Sequence, residues 1–189
     1  MENLFGVGVR HLVIAKMASE SSTAAPTYGK ALEIGATNQI NFTRNTNNAT
    51  ADGDDAQVAN ITMTTGGSLE WQGWGVPKET VEVIYGHTLS EDGIVGEKMG
   101  DLAPYCGVGY IRTIANKANE WSYKAYWYWK AQAVQGNEEA TTSGTNLSLN
   151  SDTVTFNVVQ PSYGTFRDYG DFDTEAAAIA WLEKHLGTT

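Results

Sequence analysis

The sequence predicts a mainly β protein, an antiparallel sandwich or barrel with one short internal helix and a C-terminal helix. Three observations lead to this fold class. Many short stretches alternate apolar and polar residues with a period of two, turn-forming residues separate these stretches, and nothing resembles the strand–helix–strand alternation of a parallel sheet. With 189 residues the chain is long enough to bury a sizeable core. We therefore expect residues 1–189 to form one domain.

The first half of the chain predicts five strands. They cover residues 9–17, 28–34, 37–44, 57–64 and 68–73. The third and fourth strands each carry apolar residues on one face and uncharged polar residues on the other. The polar positions of these two strands are Gln39, Asn41, Thr43, Asn60, Thr62 and Thr64.

Two segments of this half lack a strand signal. Residues 1–8 precede the first strand and predict an N-terminal arm. Residues 45–56, NTNNATADGDDA, contain no large apolar residue, which predicts a long, exposed and mobile loop.

The second half begins with a short helix and continues with a long hairpin. Pro77 suits the first turn of a helix and Gly86 suits its end. Residues 103–115 and 121–135 give the strongest strand signals of the chain, and a turn at residues 116–120 predicts that they pair.

After a polar loop at residues 138–144, one more strand and the C-terminal helix complete the prediction. Residues 153–159 alternate again. The final helix has Asp173 as its predicted N-cap and Gly187 as its predicted end.

Composition excludes several functions. The net charge is −10, and no Lys or Arg occurs between Arg44 and Lys78, so the chain should repel phosphate groups, and sequence-specific DNA binding is not expected. No apolar stretch is long enough for a signal peptide or a membrane span. The single cysteine, Cys106, cannot form an internal disulfide, which fits synthesis in the cytoplasm.

Residues for catalysis or metal binding are scarce. His11, His87 and His185 are far apart and form no ligand-spaced pair. Cys106 lies in an apolar strand, which predicts a buried structural thiol. The GxG at residues 107–109 lacks the following helix of a nucleotide site and predicts close packing of backbones. The acidic residues 52–55 lack the terminal Glu of a calcium loop. We expect no enzyme activity, cofactor or metal.

Residues 121–130, WSYKAYWYWK, place aromatic side chains on both faces of one strand. Three interpretations are open: a core on one face with a helix on the other, a subunit interface, or a platform on which sugars stack. The aromatic residues concerned are Trp121, Tyr126, Trp127, Tyr128 and Trp129.

Several segments, taken in order, resemble one family. They are residues 28–34 (YGKALEI), 54–56 (DDA), 103–105 (APY) leading into 109–112 (GYIR), 125–130 (AYWYWK), 138–144 (EEATTSG) and 172–176 (FDTEA) running to 180–182 (AWL). Together they resemble the major tail (tail tube) proteins of long, non-contractile-tailed bacteriophages that infect Gram-positive bacteria.

The resemblance implies a structural virion protein. Six copies would close into a ring through a continuous inner barrel, and stacked rings would form a tube that delivers double-stranded DNA without binding it specifically. Implied partners are further copies, a tape-measure protein in the lumen, and tail-terminator and distal tail proteins. The implied location is the virion tail, with the host cytoplasm as the place of assembly.

With this family in mind, we assign residues to roles as hypotheses. Gln39, Asn41, Thr43, Asn60, Thr62 and Thr64 would line the bore. The exposed segments would make contacts between rings, and their candidate residues are Asn48, Asp52, Asp54, Asp55, Glu138 and Glu139. Two alternatives stay open: a carbohydrate-binding β-sandwich module, and a related tube protein of a bacterial secretion system.

Overall fold

The structure is a computed structural model that describes residues 4–53, 56–118, 120–135 and 151–187. These residues form a mainly β fold with two helices, as predicted. The elements are β1 Phe5–Ser19, β2 Thr27–Glu33, β3 Ala36–Gly53, β4 Ala56–Trp74, α1 Lys78–Tyr85, β5 Thr88–Leu89, β6 Val95–Gly96, β7 Tyr105–Ala115, β8 Trp121–Val134, β9 Asp152–Val158, β10 Arg167–Phe172 and α2 Glu175–Leu186.

One large antiparallel sheet contains all of the strands except β5 and β6, which form a small hairpin of their own. The order across the sheet is β2-β1-β7-β8-β9-β4-β3. The predicted hairpin of β7 and β8 is confirmed. On its other side, β8 pairs with β10 along residues 123–128 and with β9 along residues 131–134.

The main core lies inside the curved sheet. Ile14 of β1 and Trp71 of β4 come from strands near opposite ends of the sheet order, yet both belong to the same buried cluster. The sheet must therefore bend around this cluster, which gives a sandwich-like fold. Val108, Tyr128 and Phe156 fill the middle of the cluster.

A second core lies on the other face of β7 and β8, beneath α2. Trp127 and Leu182 are fully buried there. Gly109 makes room for them, because a Cβ atom at this position would lie 2.7 Å from the Trp127 ring and 2.8 Å from Leu182. The glycine motif was predicted to let backbones pack closely, and this is wrong, because the close neighbours of Gly109 are the side chains of Trp127 and Leu182.

Both helices end at glycines in the left-handed conformation, Gly86 with φ 77° and Gly187 with φ 71°. The cap predicted at the start of α2 is wrong by one residue. Thr174, not Asp173, is the N-cap, and its side chain accepts a hydrogen bond from the Ala177 backbone N–H.

Two segments that the sequence predicted to lie outside any strand form strands in the structure. Residues 45–53 continue β3, and residues 56–64 belong to β4, so the predicted loop at 45–56 is mostly a hairpin. The predicted arm at residues 1–8 is shorter than expected, since Phe5 and Gly6 already pair with Ala115 and Ile114 of β7. Main-chain pairing forms residues 45–53 of β3 without help from an apolar pattern, whereas Phe5, Val7 and Val9 alternate with glycines at the start of β1.

Candidate assembly surfaces

The outward face of β3, β4 and β9 is polar and almost uncharged. Across these strands Asn41 pairs with Glu70, and Glu70 with Thr155, with similar rows on either side. Glu70 is the one charged residue among the paired positions of this face. We call this surface the polar face, and its residues are Gln39, Asn41, Thr43, Ser68, Glu70, Gln72, Thr153, Thr155 and Asn157.

The polar face exists because the same strands bury their alternate residues. Leu69, Trp71 and Phe156 point the other way and are fully buried in the main core. A strand period of two therefore fixes which residues meet solvent. The sequence identified Gln39, Asn41 and Thr43, but the contributions of β4 and β9 required knowledge of which strands are neighbours.

Beyond Gly66, β3 and β4 continue as a two-stranded arm. The pairing of β9 with β4 covers residues 67–73, so within the described residues the arm has no third strand. The arm comprises residues 45–53 and 56–65, and its length is about 30 Å at the usual rise of a strand. Side chains at 45–50 and 59–65 are exposed.

The two faces of the arm differ in character. On one face, the exposed Ile61 and Met63 lie opposite Ala49 and Asn47. On the other face, Asn and Thr side chains lie opposite one another. These pairs are Thr46 with Thr64, Asn48 with Thr62, and Thr50 with Asn60.

A bulge at Thr65 separates the arm from the polar face. Asn45 pairs with Gly66 but Thr46 pairs with Thr64, so β4 carries one extra residue at this point. Each such residue reverses the face on which later side chains lie. Asn60, Thr62 and Thr64 therefore lie on the opposite face from Gln39, Asn41 and Thr43, and the six predicted bore residues do not form one surface.

The aromatic strand is β8, and its two faces belong to the two cores. Tyr128 is fully buried in the main core, whereas Trp127 and Trp129 are buried under α2. The interpretation of a core on one face and a helix on the other is confirmed. The rings of Trp127 and Trp129 are perpendicular, with an interplanar angle of 89°, and their burial leaves no sugar-stacking platform at these positions.

The other two aromatic residues of interest are more accessible. Tyr126 is half-buried and stacks on Tyr110 with ring centroids 5.0 Å apart. Trp121, at the start of β8, is 48% exposed. A role for Trp121 in a subunit interface stays a prediction.

The candidates for contacts between rings are only partly visible. Asn48 is exposed on the arm, and Asp52 lies in β3 close to the arm tip. Asp54, Asp55, Glu138 and Glu139 lie outside the described residues.

Cys106 is buried, and His87 pairs with a carboxylate. Burial raises the pKa of the Cys106 thiol to about 12, so the predicted buried thiol is confirmed. His87 lies 3.1 Å from Asp101, whose pKa is lowered by the Lys98 backbone N–H and then by His87.

Across the described ranges, no three His, Cys, Asp or Glu residues come together in a way that could hold a metal ion. Neither helix in these ranges has the length and apolar character needed to cross a membrane.

No protein-family model matches this chain, and a search of curated proteins finds no match.

Proposed function

We propose that this protein is a structural subunit that assembles with copies of itself into stacked hexameric rings, forming the tail tube of a long, non-contractile-tailed bacteriophage. The polar face carries this proposal. It spans three neighbouring strands, and among its paired positions Glu70 is the one charged residue. A conduit for double-stranded DNA needs such a wall.

Electrostatics explains why the wall must lack cations. Proteins bind DNA nonspecifically by placing Lys and Arg against phosphates and releasing counterions. The polar face carries no Lys or Arg, and the net charge of −10 adds repulsion. DNA would therefore slide past a ring of these faces without being held.

The edges of the sheet support assembly. β2 and β3 are its terminal strands, and in the described part of the chain each has a single neighbour. An open edge invites pairing with another chain, which soluble monomers usually block. Pairing between neighbouring copies would satisfy these edges and extend the polar face around a bore.

The arm supports contacts between rings. An isolated two-stranded hairpin is marginally stable in water, and this one exposes Ile61 and Met63 on one face. Packing against another copy would cover these side chains and stabilise the ribbon. The same role implies the remaining partners, a tape-measure protein in the lumen and terminator and distal tail proteins at the ends of the tube. It also implies the virion tail as the location.

Electron microscopy of purified, concentrated protein tests the proposal. Rings or tubes with a central bore are expected. A matched variant replaces residues 47–63 with Asn-Gly, which joins the paired Thr46 and Thr64 through a two-residue turn. This variant should fold and unfold as a monomer like the parent but form no tubes. Normal tubes from the shortened chain would show that the arm is not a contact between rings.

A secretion-system tube protein is the nearest alternative, since the same surfaces would serve it. The two are separated by the neighbouring genes, because a tape-measure gene accompanies a phage tail. The carbohydrate-binding alternative would need exposed coplanar indoles, and glycan titration monitored by tryptophan fluorescence should leave the emission unchanged.

A further inference from the structure

Three of the four arginines of this acidic protein meet in one cleft. The cleft has a volume of about 570 Å³ and lies between β1 and β3. Arg44, Arg112 and Arg167 line it together with Tyr110 and Tyr126. Among the described residues of its lining, none is acidic.

The alternation of the strands explains this convergence. Arg44 follows Phe42 by two residues on β3, and Arg112 follows Tyr110 by two residues on β7, so each continues the inward face of its strand. Arg167 comes from β10, where its guanidinium lies 5.5 Å from the Tyr126 ring centroid. At the cleft, guanidinium groups therefore lie at the edge of the main core.

These guanidinium groups have no counter-charge in the described part of the chain. None of them lies within 4.0 Å of a carboxylate there, whereas Arg10 lies 3.1 Å from Glu175 and Lys124 lies 3.1 Å from Asp171. Arg167 is partly removed from water, which makes an unpaired charge costly. Such a cleft favours an anionic occupant, and paired carboxylates match the geometry of guanidinium groups.

The walls of the cleft suggest that the occupant is a segment of polypeptide. β2 pairs with β1 only from Val13 onward, so over residues 5–10 the described chain leaves one edge of β1 without a neighbour. Free backbone donors and acceptors along this edge of β1 can bind an extended chain.

We propose that the cleft binds the acidic arm tip of a second copy, through Asp52, Asp54 and Asp55. This inference rests on the proposed self-assembly and identifies the surface that receives the arm. The tip carries three aspartates in its sequence and the cleft is lined by three arginines, so the formal charges balance. The arm cannot reach its own cleft, because Arg44 stands at the base of the arm and the tip lies about 30 Å away along the strands. The contact therefore needs a second copy, and when each copy gives its tip to the next, it repeats head to tail along the tube.

A charge exchange tests the proposal in the full chain. Arg44→Glu/Arg112→Glu should raise the concentration needed for tube formation at least tenfold, and Asp54→Lys/Asp55→Lys should do the same. Combining all four changes should restore assembly. The control Lys98→Glu/Lys117→Glu makes the same change in net charge on exposed residues that lie outside the cleft and outside the edge strands β2 and β3, and it should have little effect.

Two outcomes of the exchange overturn the proposal. Tubes that form normally with the arginine variant show that the cleft is not a contact. Loss of tubes in both double variants without rescue in their combination shows that the tip is not the occupant.

A peptide titration separates this inference from the proposed function. Fluorescence anisotropy would follow a labelled peptide of residues 50–57 binding to dilute, monomeric protein, with an Asn-for-Asp peptide as control. Saturable binding that Arg44→Glu/Arg112→Glu weakens at least tenfold supports the inference even if no tube ever forms. Equal binding of both peptides, or tighter binding of a peptide of residues 136–144, overturns it.

Discussion

Replacing the apolar side chains of the arm should weaken assembly and leave the monomer intact. The variant is Ile61→Thr/Met63→Thr, which keeps residues suited to a strand. The two side chains are 59% and 65% exposed. Burying a whole Ile or Met side chain is worth about 1.5–3 kcal/mol, so covering these exposed fractions supplies about 2–4 kcal/mol per arm.

This free energy predicts the size of the effect. At 1.4 kcal/mol for each factor of ten, the critical concentration for tube formation should rise about 30- to 700-fold. Threonine keeps one methyl group, which places the expected change toward the lower end. The unfolding temperature of the monomer should hardly change, because exposed substitutions usually alter stability by less than about 0.5 kcal/mol.

Sedimentation of tubes over a concentration series measures the effect, with thermal unfolding of dilute protein beside it. Ile94→Thr/Met99→Thr is the matched control, since these residues are 67% and 107% exposed but lie outside the arm. An equal shift in both variants would mean that general surface polarity, not the arm, governs assembly. An unchanged critical concentration in the arm variant would refute burial of Ile61 and Met63 between copies.

Three further predictions concern the folded monomer. Gly109→Ala should cost about 1–3 kcal/mol by forcing the Trp127 ring to move, and thermal unfolding should show a fall of about 2–4 °C per kcal/mol. Cys106 should react with a thiol reagent only at the rate of unfolding, since rapid reaction in native protein would contradict its burial. Glu20, whose pKa is lowered by Lys130, stabilises the fold above the ordinary glutamate pKa of about 4.3, and this stability is lost as pH falls through the lowered native value. Glu20→Gln should therefore destabilise the protein at neutral pH and flatten its acid unfolding profile; an unchanged profile would contradict this.

The sequence predicted those parts of the fold that an apolar pattern encodes. β8 illustrates this, because a core on one face and a helix on the other was one of three interpretations of its aromatic residues, and the structure places Tyr128 and Trp127 in different cores. The ends of the helices were also predicted correctly, because Gly86 and Gly187 adopt the left-handed conformation that favours glycine.

The sequence did not predict that residues 45–53 form a strand, because they show no alternation of apolar and polar residues. Residues 45–56 contain no large apolar side chain, and their strand depends on main-chain bonds to β4. The bulge at Thr65 has no sequence signal, yet it decides which face each later residue occupies. Gln39, Asn41 and Thr43 do share one face, whereas the bulge places Asn60, Thr62 and Thr64 on the other face. The role of either set in a bore stays a prediction.

The arginine cleft was beyond the reach of sequence reasoning for a different reason. Arg44, Arg112 and Arg167 are far apart in the chain, and each looks like an ordinary surface residue in its own segment. Only the neighbourhood of β1, β3, β7 and β10 brings them together. No local sequence pattern indicates that residues so far apart in the chain lie close together in the fold.

The pairing of β1 with β7 also determines the order in which the chain can fold. β1 is made first, but Phe5 must wait for Ala115 before its ladder with β7 can form. Until then Leu12 and Ile14 have only β2 beside them, and closing such a long loop is slow. The β3–β4 hairpin, by contrast, needs only neighbouring residues. A nascent chain can therefore pair β3 with β4 transiently before its core closes, and at high synthesis rates incompletely folded chains with this exposed hairpin are the species that must be kept apart.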